Sequence, residues 1–279
     1  FDLSEPMNGN LSQGDLDGDG DLDLIVGGQV IPGKYPLSSK TYLLENKNGN
    51  YIDTTEELAP ELLNIGIVND LLFTDYDGDG DKDLAVIGEW FPLTFFNNQN
   101  GKFTKTSIAS LNHTEGWWNT ITEVDFDEDG KMDYLVGNLG DNNKFHPTKE
   151  KPLHIYSTNF DEDAKYDMIL SKYYKGNLVP VRGKECSTEQ NPFVSKKIQT
   201  YKEFANSTLI DIYGEEELNA AYHKQAYEFG SVYLRNKGNG SFEVQKLPTT
   251  AQFGPTMAFD RCKPRWSFGC FGRWKHLRG

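Results

Sequence analysis

Cysteine is scarce in this 279-residue chain: Cys186, Cys262 and Cys270 are its only thiols. Three cysteines cannot build a disulfide framework, and their spacing matches no zinc motif. Long apolar runs are missing as well. Mean hydropathy is −0.62, and no stretch approaches the roughly 18 apolar residues of a spanning helix, so no transmembrane segment is expected. Basic residues are few, 28 Lys and Arg against 42 Asp and Glu, for a net charge of −14. That balance argues against nucleic acid as a partner. The five histidines form no His-x-x-x-His or Glu-x-x-His cluster, and there is neither a Gly-x-Ser-x-Gly elbow nor a P-loop. No catalytic constellation emerges, so the sequence does not read as an enzyme. The chain starts at Phe1 without Met and reads as a fragment or processed product, so missing targeting signals carry no weight. Aromatic residues (13%) are plentiful enough for a core, and 27 glycines in short clusters imply many turns.

The acids come in bursts of one pattern. The first runs Asp15-Leu16-Asp17-Gly18-Asp19-Gly20-Asp21-Leu22-Asp23, and the second Asp75-Tyr76-Asp77-Gly78-Asp79-Gly80-Asp81-Lys82-Asp83. The third runs Asp125-Phe126-Asp127-Glu128-Asp129-Gly130-Lys131-Met132-Asp133. A looser fourth is Asn159-Phe160-Asp161-Glu162-Asp163-Ala164-Lys165-Tyr166-Asp167. Each precedes a short apolar run (24–26, 84–87, 134–136, 168–170), β-rich and too short for a helix, which reads as a buried strand.

A second repeat lies between the bursts. Asn48-Gly49, Asn100-Gly101 and Asn239-Gly240 each separate two apolar runs, the strongest short-range hairpin signal. The unit is then acidic loop, strand, strand, hairpin, strand, which points to an all-β fold of propeller-like blades, about four of them, with irregular spacing. Residues 191–229 break the pattern. They are helix-friendly and turn-poor and read as a small helical insertion between blades.

Loop positions 1, 3, 5 and 9 hold carboxylates, with Asn159 the one exception. Position 7 (Asp21, Asp81, Lys131, Lys165) can supply a backbone carbonyl. Hard oxygen donors in that number suit Ca²⁺ better than Mg²⁺, and the absence of His and Cys from the loops argues against zinc or copper. Gly at position 6 permits the positive φ of a sharp turn. An EF-hand is excluded: position 12 is Val26, Val86, Val136 and Leu170, not the required Glu. Unneutralised, four or five Asp within nine residues repel one another in a folded loop. Three strong sites are expected, with a weaker fourth where Ala164 replaces Gly and Asn159 removes a charge.

On these residues the chain resembles the FG-GAP/VCBS repeat proteins of the integrin-α-like β-propeller fold, whose loop is Asp-x-Asp-x-Asp-Gly-x-x-Asp. More closely, it resembles the large secreted bacterial VCBS proteins related to cartilage acidic protein, which often carry an ASPIC/UnbV domain; no such domain is visible here. The resemblance spans about residues 10–260 and implies a seven-bladed ring, of which this chain holds a part. It further implies structural calcium on the face opposite the ligand surface, an extracellular or cell-surface setting, and a binding or adhesion scaffold for a protein or glycan. Two alternatives remain open. One is a polysaccharide-processing enzyme, in which Glu89, Glu115 or Glu123 converge with Trp. The other is a spacer in a longer secreted protein.

Other residues read as structural. One of Trp117 and Trp118 belongs to the core, since neighbours on a strand face opposite ways. Glu89-Trp90-Phe91-Pro92 reads as packing, Cys186 as a free thiol and His223 as a surface residue. Residues 261–279 hold six basic side chains and no acid, leaving 22 basic against 42 acidic before them. This tail reads as out of frame. Shifted by one base, Trp266 and Trp274 would both become Gly, and suitable codons would restore another acidic loop.

Overall fold

The computed structural model describes residues 9–161 and 165–260. Asp163, Ala164 and the tail after Asp260 therefore lie outside the described residues.

The first sheet is β1 (Leu11–Gly14), β2 (Asp23–Val26), β3 (Tyr42–Lys47) and β4 (Asn50–Asp53), antiparallel in chain order. The second repeats it with β5 (Ile67–Thr74), β6 (Asp83–Glu89), β7 (Thr94–Gln99) and β8 (Lys102–Lys105). The third opens with β9 (Thr120–Val124) and β10 (Asp133–Gly137) and is completed only by β15 (Val232–Gly238) and β16 (Ser241–Lys246). First strands adjoin in order, β1 beside β5 and β5 beside β9, as in consecutive propeller blades. The outer hairpins turn as expected. Asn48-Gly49, Asn100-Gly101 and Asn239-Gly240 all have positive φ at both residues, the type I′ geometry that matches strand twist.

The described residues form four four-stranded sheets, but their order differs from the expected one. The fourth comprises β11 (Leu153–Thr158), β12 (Asp167–Tyr174), β13 (Asn177–Pro180) and β14 (Tyr222–Ala226), in the order β13-β12-β11-β14. It does not follow the third blade but is inserted within it, between β10 and β15. Nor do the helices lie between blades. Leaving aside α1 (Thr55–Leu58) in the first blade, α2 (Lys184–Gln190), α3 (Phe193–Lys197), α4 (Tyr201–Asn206), α5 (Leu209–Tyr213) and α6 (Glu215–Ala220) connect β13 to β14 inside the fourth sheet. The physical reason is strand pairing. Tyr134 pairs with Leu234 and Ile155 with Lys224, and neither registry is visible in local sequence.

The core is laid down between sheets. On β6, Leu84 and Val86 pack toward the first blade with Ile25, Leu43 and Phe96. Ala85 and Ile87 pack toward the third with Phe95, Trp118, Tyr134 and Leu234. Period-2 alternation with both faces covered gives a strand that is apolar at every position. The helices form a separate cluster on Ile169 of β12. The inserted sheet packs Leu153 and Ile155 against Trp90 and Phe229. Trp90 follows the end of β6, whereas the acidic loops precede its start. The insertion therefore covers the end of the blades opposite the acidic loops.

Candidate metal centres

Each acidic loop joins the first two strands of its sheet. In the first two blades the position-1 carboxylate closes the turn from within: Asp15 accepts from the Gly18 and Gly20 amides, and Asp75 from Gly78 and Gly80. In the third, Asp125 accepts from Asp129 and Gly130. Position-6 glycines have the expected positive φ: Gly20 93°, Gly80 99°, Gly130 87°. Position 4 is also left-handed, which the sequence reading missed. Gly18 and Gly78 adopt it freely, and Glu128 does so at φ 60° with the strain of a non-glycine residue.

Carboxylates converge in all three loops. Ligand atoms of Asp15, Asp17 and Asp19 lie within 4.8 Å of one another, as do those of Asp75, Asp77 and Asp83, and of Asp125, Asp127 and Asp133. Asp21, Asp23, Asp79, Asp81, Asp129 and Lys131 stand in the same loops outside these trios. In the fourth loop, the Phe160 amide donates to Asp167. With Asp163 undescribed, no cluster is defined there around Asn159, Asp161 and Lys165.

The electrostatics show what the loops require. Loss of hydration pushes Asp83 up to about 7 and Asp81 up to about 6, with nearby carboxylates adding to the rise. Burial also raises Asp23 and Asp77. Two oxygens, Asp81 Oδ1 and Asp127 Oδ1, are buried with no hydrogen-bond donor among the described residues. Oxygens so placed fit a hard cation. The third loop is partly neutralised by the protein itself. Arg235 Nε donates to Asp127 at 2.6 Å, and Lys131 Nζ lies 2.8 Å from Asp129, whose carboxyl it holds down.

Position 9 does more than the sequence reading assigned to it. One oxygen of Asp23, Asp83 and Asp133 accepts from the position-2 amide of its own loop, Leu16, Tyr76 or Phe126. The other accepts from the amide of Asn46, Asn98 or Asn236 on the third strand of the sheet. The side chains of Asn98 and Asn236 then reach the preceding blade, donating to the carbonyls of Leu16 and Tyr76. Asn46 and Asn98 stand two residues ahead of their Asn-Gly turns and Asn236, across a bulge, three ahead of its own.

Of the acids that could serve an enzyme, Glu89 and Glu115 both adjoin Trp90. Glu89 accepts from Tyr35 Oη at 2.6 Å beneath the insertion, Glu123 lies on β9, and Glu115 borders a cavity with Trp90. Trp118 is wholly buried, Trp117 packs against Trp90 and Phe229, and Cys186 is an exposed free thiol. His223 is exposed, yet its Nε2 lies 2.9 Å from Nδ1 of buried His154, a pairing across 69 residues that sequence spacing could not show. No helix among the described residues is long and apolar enough to cross a membrane.

The FG-GAP-like repeat model matches the chain twice, over residues 15–86 and 75–136. Each match opens at an acidic loop, and the second ends at Val136, immediately before the insertion interrupts the third sheet. No curated protein matches the chain. Repeated loop, hairpin and position-9 pin agree with the repeat match: residues 15–136 of this chain are similar to FG-GAP-like repeats.

Proposed function

We propose that the protein is a calcium-stabilised β-propeller scaffold that works outside the cell by binding a protein or glycan. The observation that carries this is the convergence of three aspartates, with ligand atoms within 4.8 Å of one another, in each of three loops, where Asp127 Oδ1 is buried with no donor among the described residues. Asp15, Asp17, Asp19 and Asp23 would hold the first ion, Asp75, Asp77, Asp79 and Asp83 the second, and Asp125, Asp127, Asp129 and Asp133 the third. Position 7 would add a carbonyl. Asn159, Asp161, Asp163 and Asp167 would form a weaker fourth site. Held by these residues, an ion would neutralise the loop and fix the turn from which β2, β6 or β10 departs. Extracellular calcium modules bind on the order of 10⁻⁴ to 10⁻³ M, which suits a calcium-rich exterior. Carboxylates committed to an ion are poor proton donors, so these loops favour binding over catalysis.

Thermal unfolding of the full chain across a calcium titration, with chelator and magnesium controls, tests this reading. A native-state ion must raise the midpoint as its concentration rises. A calcium-specific rise of several degrees is expected. A folded sample whose midpoint ignores calcium would remove the metal from the account.

A further inference from the structure

We propose that the cleft between the second blade and β14 binds an uncharged, polyhydroxylated ligand, one or two rings of a neutral glycan, with Glu115 as its buried acceptor. This deepens the scaffold reading above and rests on it for the nature of the activity. The cavity measures about 430 Å³, inside the range of roughly 300–1,000 Å³ typical of small-ligand sites. One wall is the second blade, at Trp90 and Phe91. The other comes from the insertion, at His223, Gln225 and Tyr227. Neither part forms the site alone. The two walls are tied together where the Tyr227 amide donates to the Glu115 carbonyl at 2.7 Å.

Glu115 provides the chemical pointer. Its Oε2 is buried and has no donor among the described residues, a condition native structures rarely leave unexplained. A rotation of the Glu115 side chain toward the cavity would let a ligand hydroxyl supply the missing hydrogen. The wall already presents a polar relay. Tyr227 Oη donates to Gln225 Oε1, and Gln225 Nε2 approaches His154 Nδ1, which itself meets His223. Donors and acceptors thus alternate on a surface backed by aromatic rings. Charge on the lining is balanced, with Lys105 and Lys224 against Glu61 and Glu115, so it offers no net attraction to an ion. A second cavity of about 180 Å³ contrasts with it, being lined by Lys144, His146, Lys151 and Lys172 without a carboxylate. An anionic sugar would choose that one.

The test is calorimetric titration of the full chain, in calcium, with neutral tetrasaccharides of glucose, mannose, galactose and N-acetylglucosamine, and with oligogalacturonate as the charged comparison. At least one neutral probe should bind. Glu115→Ala should weaken binding about tenfold or more, the loss expected for a hydrogen bond to a charged group, and Gln225→Ala about three- to tenfold, as for a neutral one. The calcium-dependent rise in unfolding midpoint should persist in both variants, which shows that they fold. Absence of binding by every neutral probe overturns the proposal, as does binding indifferent to both substitutions. Binding of oligogalacturonate alone, abolished by Lys172→Ala, overturns it in favour of the basic cavity. Glu115-dependent glycan binding without any calcium effect would support the cleft and sink only the metal half of the scaffold reading.

Discussion

At the scale of single residues, the asparagine ahead of each hairpin turn explains how loops become blades. The Asn98 side chain donates to Leu16 O in one blade and Lys82 O in its own, while its Oδ1 accepts from Gly101. It is 3% exposed. Asn46 makes the corresponding bonds within its own sheet, to Leu22 O and from Gly49, but exposed to water. Asn98→Ala should therefore cost about 3 kcal/mol, because buried partners are left unsatisfied, and Asn46→Ala about 1 kcal/mol or less. Urea unfolding of the two variants checks the difference, and equal losses would refute the inter-blade role.

A second residue-scale expectation concerns pH. Burial, with His223 alongside, lowers His154 from the ordinary histidine value to about 4. The unfolded chain then binds a proton below about pH 6.5 that the folded chain refuses until about pH 4. The contribution is present in full above pH 6.5 and is lost as pH falls through that window, on the order of 2 kcal/mol. Tyr156, Tyr173 and His223 face the ring, and the imidazole pair titrates as a unit. Denaturation at pH 7 and pH 4.5 should show a smaller acid loss for His154→Phe than for the unaltered chain.

At the scale of elements, position 2 of the acidic loop reports whether another blade covers it. Leu16 is 6% exposed and Tyr76 2%, but Phe126 is 41% exposed. The position is equivalent in all three loops, and its burial depends on the neighbouring sheet rather than on its own. Tyr76 also packs 5.1 Å from Phe95, which meets Phe242 at 4.9 Å and Tyr134 at 5.3 Å. Phe95→Ala should lose about 3–5 kcal/mol as a buried aromatic that leaves a cavity. Phe126→Ala should lose about 1 kcal/mol or less, as surface positions do. A large loss at Phe126 would mean that something covers it in solution.

At the scale of the whole molecule, two ends of the blades carry different chemistry. Aspartate loops crowd one end, and the inserted sheet with its helices roofs the other, where Glu89, Trp90 and Glu115 are found. Much of this arrangement could be read from order along the chain. Alternating acids, glycine at position 6, the Asn-Gly turns and apolar runs of three or four residues are local signals, set by turn sterics and strand periodicity within about ten residues. These determined the strands, the hairpins, the acidic loops and the propeller-like unit. The placement of the insertion was decided by tertiary structure alone, because the pairing of β10 with β15 joins residues nearly a hundred positions apart and leaves no local periodicity. The same holds for the Asn98 and Asn236 bonds between blades, for His154 beside His223, and for the stranded Glu115 oxygen. Each depends on which surfaces close over which, and only packing of the complete chain settles that.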